Sequence, residues 1–341
     1  MNDDARFPEI LLPRSEPPSP RDLWSPPESP PPEPSPFRWK LNALLFVATA
    51  VSVFQAGAPG VPVSSWREWV QVLLSGWTFA VPLLAILLCH EFGHYIAARL
   101  HRVDASLPYF LPTPGLSPFG TMGAVIAMRG RIRSRNALLD IGASGPLAGL
   151  VVAIPVLVVG LSLSPVAPSG AGGEHYIQEG QSLLYMMLKR LVVGPIPPGQ
   201  DVQLHPTALA GWVGLLLTML NLLPWGQLDG GHVAYALLGS GHHRIARAFR
   251  SLLLPLFAYN ALHFMLPVAL GRSGLGWGIA FLNSLFWLVW FLVLGGIGRL
   301  SGGGEHPPTD PSELSPKRRV IAVLTLLLFV LLFMPTPWAT Y

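Results

Sequence analysis

The sequence contains little charge: only 12% of its 341 residues are Asp, Glu, Lys or Arg, whereas 51% are hydrophobic. Soluble domains carry about 25% charged residues, so this scarcity argues against a soluble fold with one large core. There is a single cysteine, Cys89, which excludes an intrachain disulfide and leaves the redox compartment undetermined. The composition instead indicates an all-α polytopic membrane protein.

Uncharged apolar stretches predict about seven transmembrane helices, since each approaches or exceeds the roughly 20 residues that cross a bilayer. They lie near residues 41–58, 74–99, 136–163, 206–224, 251–270, 275–298 and 319–336. With a cytoplasmic N-terminus, only four of the 22 Lys and Arg residues fall outside: Arg67, Lys189, Arg190 and Arg272. Cytoplasmic loops are enriched in Lys and Arg, so we expect the N-terminus inside and the C-terminus outside.

The remaining segments complete the predicted domain organisation. Residues 1–36 are rich in Pro, Ser and Glu and have no apolar run, which predicts a disordered cytoplasmic tail and no cleavable signal peptide. We expect a membrane-embedded domain over 37–299, a flexible linker over 300–317 and a C-terminal transmembrane helix over 318–341. Within the domain, the Pro residues of 103–128 oppose a continuous helix and indicate a re-entrant element or β-hairpin.

Glu91 is the one formally charged residue between Trp69 and Ala98. It belongs to the run His90-Glu91-Phe92-Gly93-His94, which has the His-Glu-x-x-His pattern of zinc proteases. In that pattern two histidines one helical turn apart bind zinc, and the glutamate activates a water molecule. Ionisable groups at membrane depth are costly and therefore indicate function. We expect a metal site here, in preference to a hydrogen-bonded polar cluster.

A catalytic zinc site needs a third protein ligand, and Asp229 is the best candidate. It is the one formally charged residue between Asp201 and Arg244, and it lies in a turn-rich segment after a predicted span. The topology puts that turn at the same end of the membrane as His94. The alternative is a turn aspartate or a helix N-cap.

Four further segments accompany the metal motif: Phe119–Ala124, Gly145–Gly149, Asn221–Pro224 and Leu228–His232. Together with His90–His94 and in this order, they resemble the site-2 protease family of intramembrane metalloproteases, over a core of about 75–240. The resemblance implies that His90, His94 and Asp229 bind one zinc ion and that Glu91 is the general base. It also implies that Asn221 contacts the substrate or the oxyanion, and that the substrate is a transmembrane helix cut near the cytoplasmic side.

A helical substrate must be unwound before its peptide bond can be attacked, and its exposed backbone groups then need new partners. The hairpin residues Gly120, Thr121, Met122 and Gly123 are candidates for pairing with an extended substrate; simple loop packing is the alternative. We consider His232 as a group that orients Asp229.

Two features near residue 140 have structural interpretations. Gly142, Gly145 and Gly149 indicate close helix packing, Gly145 and Gly149 forming a GxxxG pair. Asp140 is expected to pair with Arg133 or Arg135, with a contact to a ligand histidine as the alternative.

These observations predict a zinc-dependent intramembrane endopeptidase for single-span membrane proteins in regulated proteolysis. We expect a bacterial plasma membrane, an active site towards the cytoplasm and no nucleic-acid partner; the oligomeric state is open. One alternative is a catalytically silent zinc-containing protein that binds or senses a helical membrane partner. A metal transporter, the other alternative, would carry more His, Asp and Glu along its spans.

Overall fold

A computed structural model describes residues 39–128, 132, 134–168, 177–300 and 313–341. The predicted tail over 1–36 and most of the predicted linker over 300–317 lie outside these residues. The helices are α1 Trp39–Gly57, α2 Trp66–Ser75, α3 Trp77–Leu100, α4 Arg135–Ser162, α5 Leu183–Val193, α6 Pro206–Asn221, α7 Asp229–Leu238, α8 His242–Ala269, α9 Trp277–Ser284, α10 Phe286–Leu300 and α11 Pro316–Leu332. The strands are β1 Tyr109–Pro112, β2 Thr121–Val125, β3 Val166–Pro168, β4 Ile177–Glu179, β5 Gln200–Val202 and β6 Trp338–Thr340.

The centre of the protein is formed by α3, α4 and α6, which pack against one another, while α7 packs against α4. Small residues allow this close approach. A side chain at Gly211 on α6 would collide with the backbone of Leu157 on α4. The core between these helices is apolar and includes the fully buried Leu83, Leu157 and Trp212.

The predicted helical membrane fold is confirmed in its coarser form. Within the described residues, α1, α3, α4 and α8 are long and apolar enough to cross a membrane, and α9 with α10 make a fifth span if the bent pair counts as one. Helix α6, with 16 residues, and α11, with 17, are shorter. The number seven and the N-in, C-out orientation stay predictions.

Two predicted spans differ in detail from the structure. The stretch over 275–298 is two helices that meet at an angle of 43°. Ser284 donates its hydroxyl to the Ala280 carbonyl at 2.8 Å, a back-bond that bends helices. The predicted terminal helix over 318–341 begins at Pro316 and ends at Leu332, and β6 follows it. Pro335 and Pro337 cannot continue a hydrogen-bonded helix.

The predicted hairpin is confirmed: β1 and β2 pair antiparallel, with a register shift between Phe110 and Pro112. Helix α1 holds it at both ends. Asn42 donates to the carbonyls of Leu107 and Pro108, each at 2.9 Å, and Ser52 donates to the Gly120 carbonyl at 2.6 Å. Among the described strands β2 pairs with β1 alone, so its other edge is open.

Short strands and α5 gather at the end of the central helices where α4 ends and α6 begins. Strand β3 pairs with β5, and β4 pairs with β6. Trp212 on α6 donates its indole N–H to the Gly180 carbonyl at 2.9 Å, which attaches the segment after β4 to the core. Helix α5 begins at Leu183, and the side chain of its N-cap Ser182 accepts from the Tyr185 N–H.

Candidate metal centre

The structure brings together His90, His94 and Asp229. The two histidines lie one turn apart on α3, and Asp229 is the first residue of α7, with Leu228 as the N-cap. Asp229 is therefore not the helix N-cap, one of the two alternatives for it. The Nε2 atoms of the histidines are 3.2 Å apart, and Asp229 Oδ2 lies 3.3 Å from that of His90 and 3.2 Å from that of His94. The three groups are largely buried.

The tautomer of His94 is compatible with metal binding. His94 Nδ1 lies 2.7 Å from the Ile141 carbonyl oxygen, which can only accept, so Nδ1 carries the proton. In the tautomer with Nε2 unprotonated, the Nε2 lone pair points towards the Asp229 carboxylate, and a metal ion between the two groups would bind both. The Ile141 carbonyl is a typical partner that fixes the tautomer of a metal-binding histidine.

The separations of the donor atoms also fit zinc. Bonds of about 2.0–2.1 Å in a tetrahedral site place the ligand atoms about 3.4 Å apart. The separations here are 3.2 and 3.3 Å. Among the described residues these three form the group of His, Cys, Asp or Glu donors that could hold a metal ion. Three protein ligands leave the fourth position for water or substrate, as in catalytic sites.

The other predicted site residues lie around this triangle. Glu91 is buried and interacts electrostatically with both histidines and with Asp229. Asn221 is the last residue of α6, and its Nδ2 lies 3.2 Å from His90 Nε2. His232 follows Asp229 on α7 and is buried beside it; burial lowers the pKa of its imidazole to about 4.

The glycines of α4 have a further role that the sequence interpretation missed. They face the imidazoles, where a close approach is required. A Cβ at Gly145 would collide with the His94 ring, and one at Gly142 would lie 2.8 Å from His232 Cβ. At Gly149 the nearest atom, His90 Cβ, would be 3.3 Å away. The GxxxG pattern indicates a surface of small residues, but it does not indicate which side chains pack against that surface.

The four candidate hairpin residues divide into two pairs. Gly120 has a φ of 75°, and a side chain there would collide with the Ser52 backbone; Thr121 is buried and donates to the Leu111 carbonyl at 3.1 Å. These two hold the hairpin in place. Met122 is 67% exposed, and nothing lies within 4 Å of a Cβ at Gly123. The accessible part of β2 therefore begins at Met122.

The predicted pairing of Asp140 with Arg135 is wrong, and Arg133 lies outside the described residues. Arg135 donates its Nε to the Ala236 carbonyl at 2.9 Å. Asp140 instead contacts Arg318 of α11 at 2.6 Å and His101 at 2.7 Å. The sequence separation of 178 residues between Asp140 and Arg318 hides this pair from any local pattern. The cluster connects the ends of α3, α4 and α11.

Comparison with known proteins gives a family match over the same region. The family model described as Peptidase family M50 matches residues 78–259, which include every candidate metal ligand and more than half of the chain.

Three plant proteins are among the similar curated proteins. "Probable zinc metalloprotease EGY2, chloroplastic" from Oryza sativa subsp. indica is 29% identical over 272 residues, 79% of this chain and 45% of its own. "Probable zinc metalloprotease EGY1, chloroplastic" from Arabidopsis thaliana is 36% identical over 165 residues, 47% of this chain and 29% of its own. "Probable zinc metalloprotease EGY3, chloroplastic" from Oryza sativa subsp. indica is 26% identical over 323 residues, 86% and 48% respectively. The chain spans less than half the length of these relatives.

Proposed function

The chain belongs to peptidase family M50, the site-2 protease family, and from this premise we propose that it is a zinc-dependent intramembrane endopeptidase. The observation that carries the proposal is the triangle of buried donor atoms from His90, His94 and Asp229. The names of the plant relatives support zinc as the metal.

We propose the following roles for the residues of the site. His90, His94 and Asp229 would hold one zinc ion, a Lewis acid that would activate water for attack and polarise a peptide carbonyl. Glu91 accepts the proton of the attacking water and delivers it to the leaving amine nitrogen. Asn221 donates its side-chain N–H to the developing oxyanion, an interaction worth about 3–4 kcal/mol in other enzymes. His232 orients Asp229.

The open edge of β2 is the proposed binding site for an extended substrate. Pairing with this edge would replace the helical hydrogen bonds that the substrate loses on unwinding. Strand β2 contacts α3, the helix that carries His90 and His94. Met122 and Gly123 are the exposed start of this edge, whereas Gly120 and Thr121 act by fixing the hairpin to α1 and β1.

The substrate, the cut and the membrane are further parts of the proposal. Because the metal site lies on an apolar helix, we propose a single-span membrane protein as the substrate. It would be cleaved near the cytoplasmic side in regulated proteolysis. A bacterial plasma membrane stays a prediction from the sequence, since the relatives compared above are named as chloroplast proteins.

The decisive experiment compares the wild-type chain with Glu91→Gln in proteoliposomes containing single-span reporters. We expect cleavage within or beside the apolar segment, lost with a chelator and lost in Glu91→Gln while zinc is retained. Glu313→Gln is the matched control, because its side chain is 91% exposed and makes one long ion pair at 3.9 Å. Stoichiometric zinc without cleavage of any reporter would instead support the catalytically silent zinc protein.

A proline scan of the substrate tests the pairing with β2. In a strand, the N–H groups of alternate residues point to the same neighbour. Proline removes an N–H, so sensitivity to proline should alternate with a period of two along the paired stretch. Gly123→Pro should impair cleavage without loss of zinc, because Gly123 has a φ of 94°, which proline cannot adopt. Uniform tolerance of proline across the substrate segment would reject strand pairing.

A further inference from the structure

A cavity of about 840 Å³ lies at the end of α3 opposite to the metal centre. Its lining includes four aromatic and two acidic residues: Phe79, Phe119, Trp212, Trp338, Glu179 and Asp201. Phe79 precedes His90 by eleven residues on α3, a distance of about 16 Å along a helix. A cavity of this size accommodates a small organic molecule or several side chains.

The charge of the cavity is negative. Glu179 and Asp201 line it, and they are the formally charged residues among the described lining residues. Lys189 contacts both, at 3.1 Å from Glu179 Oε1 and 2.8 Å from Asp201 Oδ1, but it is not among the lining residues. One ammonium group is thus paired with two carboxylates, which leaves a formal surplus of one negative charge beside the cavity.

The aromatic residues of the cavity also favour a cationic ligand. The Phe119 ring centroid lies 6.2 Å from that of Trp212 and 5.9 Å from that of Trp338. Aromatic faces attract cations, most strongly in Trp. A ligand with an apolar stem and a cationic end can contact the rings and the carboxylates together, as the side chains of Lys and Arg do at amphipathic surfaces.

The hairpin connects this cavity to the metal end of α3. Phe119 lines the cavity, and β2 begins two residues later at Thr121. Beyond β2, Ile126 and Met128 pack against an apolar cluster that includes Ala97 and Ala98, near the end of α3 and just past His94. A peptide paired along β2 would thus run between the metal end and the cavity, and its continuation past Thr121 would arrive beside Phe119.

We propose that this cavity binds an ammonium or guanidinium group on an apolar stem, presented by the part of the substrate that continues beyond the stretch paired with β2. The proposal rests on the proposed function, because it deepens the substrate class of the same protease. A free small organic amine has the same chemistry, and the two sources are separated by experiment. The cavity then selects substrates by a basic residue at the membrane surface opposite to the cut.

The first experiment measures binding to the full chain carrying Glu91→Gln, so it does not depend on catalysis. Benzylamine and its neutral counterpart benzyl alcohol are titrated calorimetrically. We expect benzylamine to bind about tenfold more tightly, a difference of ~1.4 kcal/mol. The ratio should fall to about one in Asp201→Asn and persist in Glu313→Gln. Equal affinities of benzylamine and benzyl alcohol for the chain that carries Glu91→Gln alone would overturn the proposal. This outcome does not depend on whether Asp201→Asn folds.

The second experiment compares reporters that carry Lys or Met at the position just outside the membrane, on the side of the cavity. We expect about tenfold higher kcat/KM for the Lys reporter, and competition by benzylamine with that reporter alone. Benzylamine binding with equal cleavage of both reporters would assign the cavity to a free amine and overturn the substrate assignment. Benzylamine binding with no cleavage of any reporter would support cation binding by the cavity and refute the proposed peptidase activity.

Discussion

Gly145 provides the sharpest test of the metal centre, because one added methyl group would collide with the His94 imidazole. The His94 ring atoms lie within 2.5 Å of the position of a Cβ at Gly145, and ordinary contacts begin at 3.4 Å. In Gly145→Ala the ring must therefore move by roughly 1 Å, whereas metal-ligand distances tolerate about 0.2 Å. His94 cannot follow freely, since its Nδ1 is bound to the Ile141 carbonyl on the same helix as Gly145.

We expect Gly145→Ala to weaken zinc binding by at least 10–100-fold, the loss that follows when the supporting contacts of a ligand are removed. Cleavage should fall at least in proportion. Zinc content is measured by mass spectrometry after dialysis against graded chelator, beside turnover of a reporter. Gly296→Ala on α10 is the matched control, because it makes the same change within a helix and nothing lies within 4 Å of a Cβ there.

Thermal unfolding separates a local displacement of His94 from loss of folding, since an overpacked helix contact also destabilises a protein. A thermal unfolding curve that matches the wild type, together with lost zinc, would establish the steric cause. Wild-type zinc affinity and turnover in Gly145→Ala would refute the close approach of α4 to His94 and with it the described geometry of the site.

Three further predictions concern the ion pairs outside the metal centre. Lys189→Met leaves the buried Glu179 carboxylate without its cation and should lower the free energy of unfolding by about 3–5 kcal/mol, measured by denaturant titration; an unchanged midpoint would contradict the ion pairs. Burial raises the pKa of Asp201, but hydrogen bonds from Lys189 and the Val202 N–H outweigh it and hold this pKa below its usual 3.8. The stability that Asp201 contributes is thus complete above pH 3.8 and is lost as the pH falls below it. In Asp201→Asn the free energy of unfolding should therefore fall less steeply at acid pH than in the wild type. An equally steep fall would refute this. Arg318→Gln removes a partly exposed contact to Asp140 and should cost only about 1 kcal/mol without loss of zinc, whereas zinc loss would connect this cluster to the metal centre.

The metal motif and its partner Asp229 could be predicted because charged residues are scarce in the sequence around each of them. In a chain with so few charges, Glu91 within an apolar helix and Asp229 within an apolar turn stand out without knowledge of the fold. The predicted topology puts both at one end of the membrane, and in the structure Asp229 Oδ2 lies 3.3 Å from His90 Nε2 and 3.2 Å from His94 Nε2. Their roles in binding and catalysis stay predictions until zinc and cleavage are measured.

The differences between prediction and structure have two origins: one partner lies far along the chain, and two local signals do not appear in hydropathy. Asp140 was paired with an arginine close in sequence, but its partner Arg318 lies on the last helix. The candidate span over 275–298 contains a bend, because the back-bond of Ser284 is not visible in hydropathy. The predicted terminal helix runs to the end of the chain, whereas the helix ends at Leu332, before Pro335 and Pro337, and β6 pairs with β4.

Composition and local spacing alone determined that this chain is a helical membrane protein with two imidazoles and one acid on a single helical turn. Those properties depend on residues within a few turns of one another, where backbone geometry is regular. Only the tertiary structure decided that Gly145 makes room for an imidazole, that the Ile141 carbonyl fixes its tautomer, and that Glu179 and Asp201 face an aromatic cavity. Each of these depends on the close approach of segments far apart in sequence, which packing of the whole chain sets.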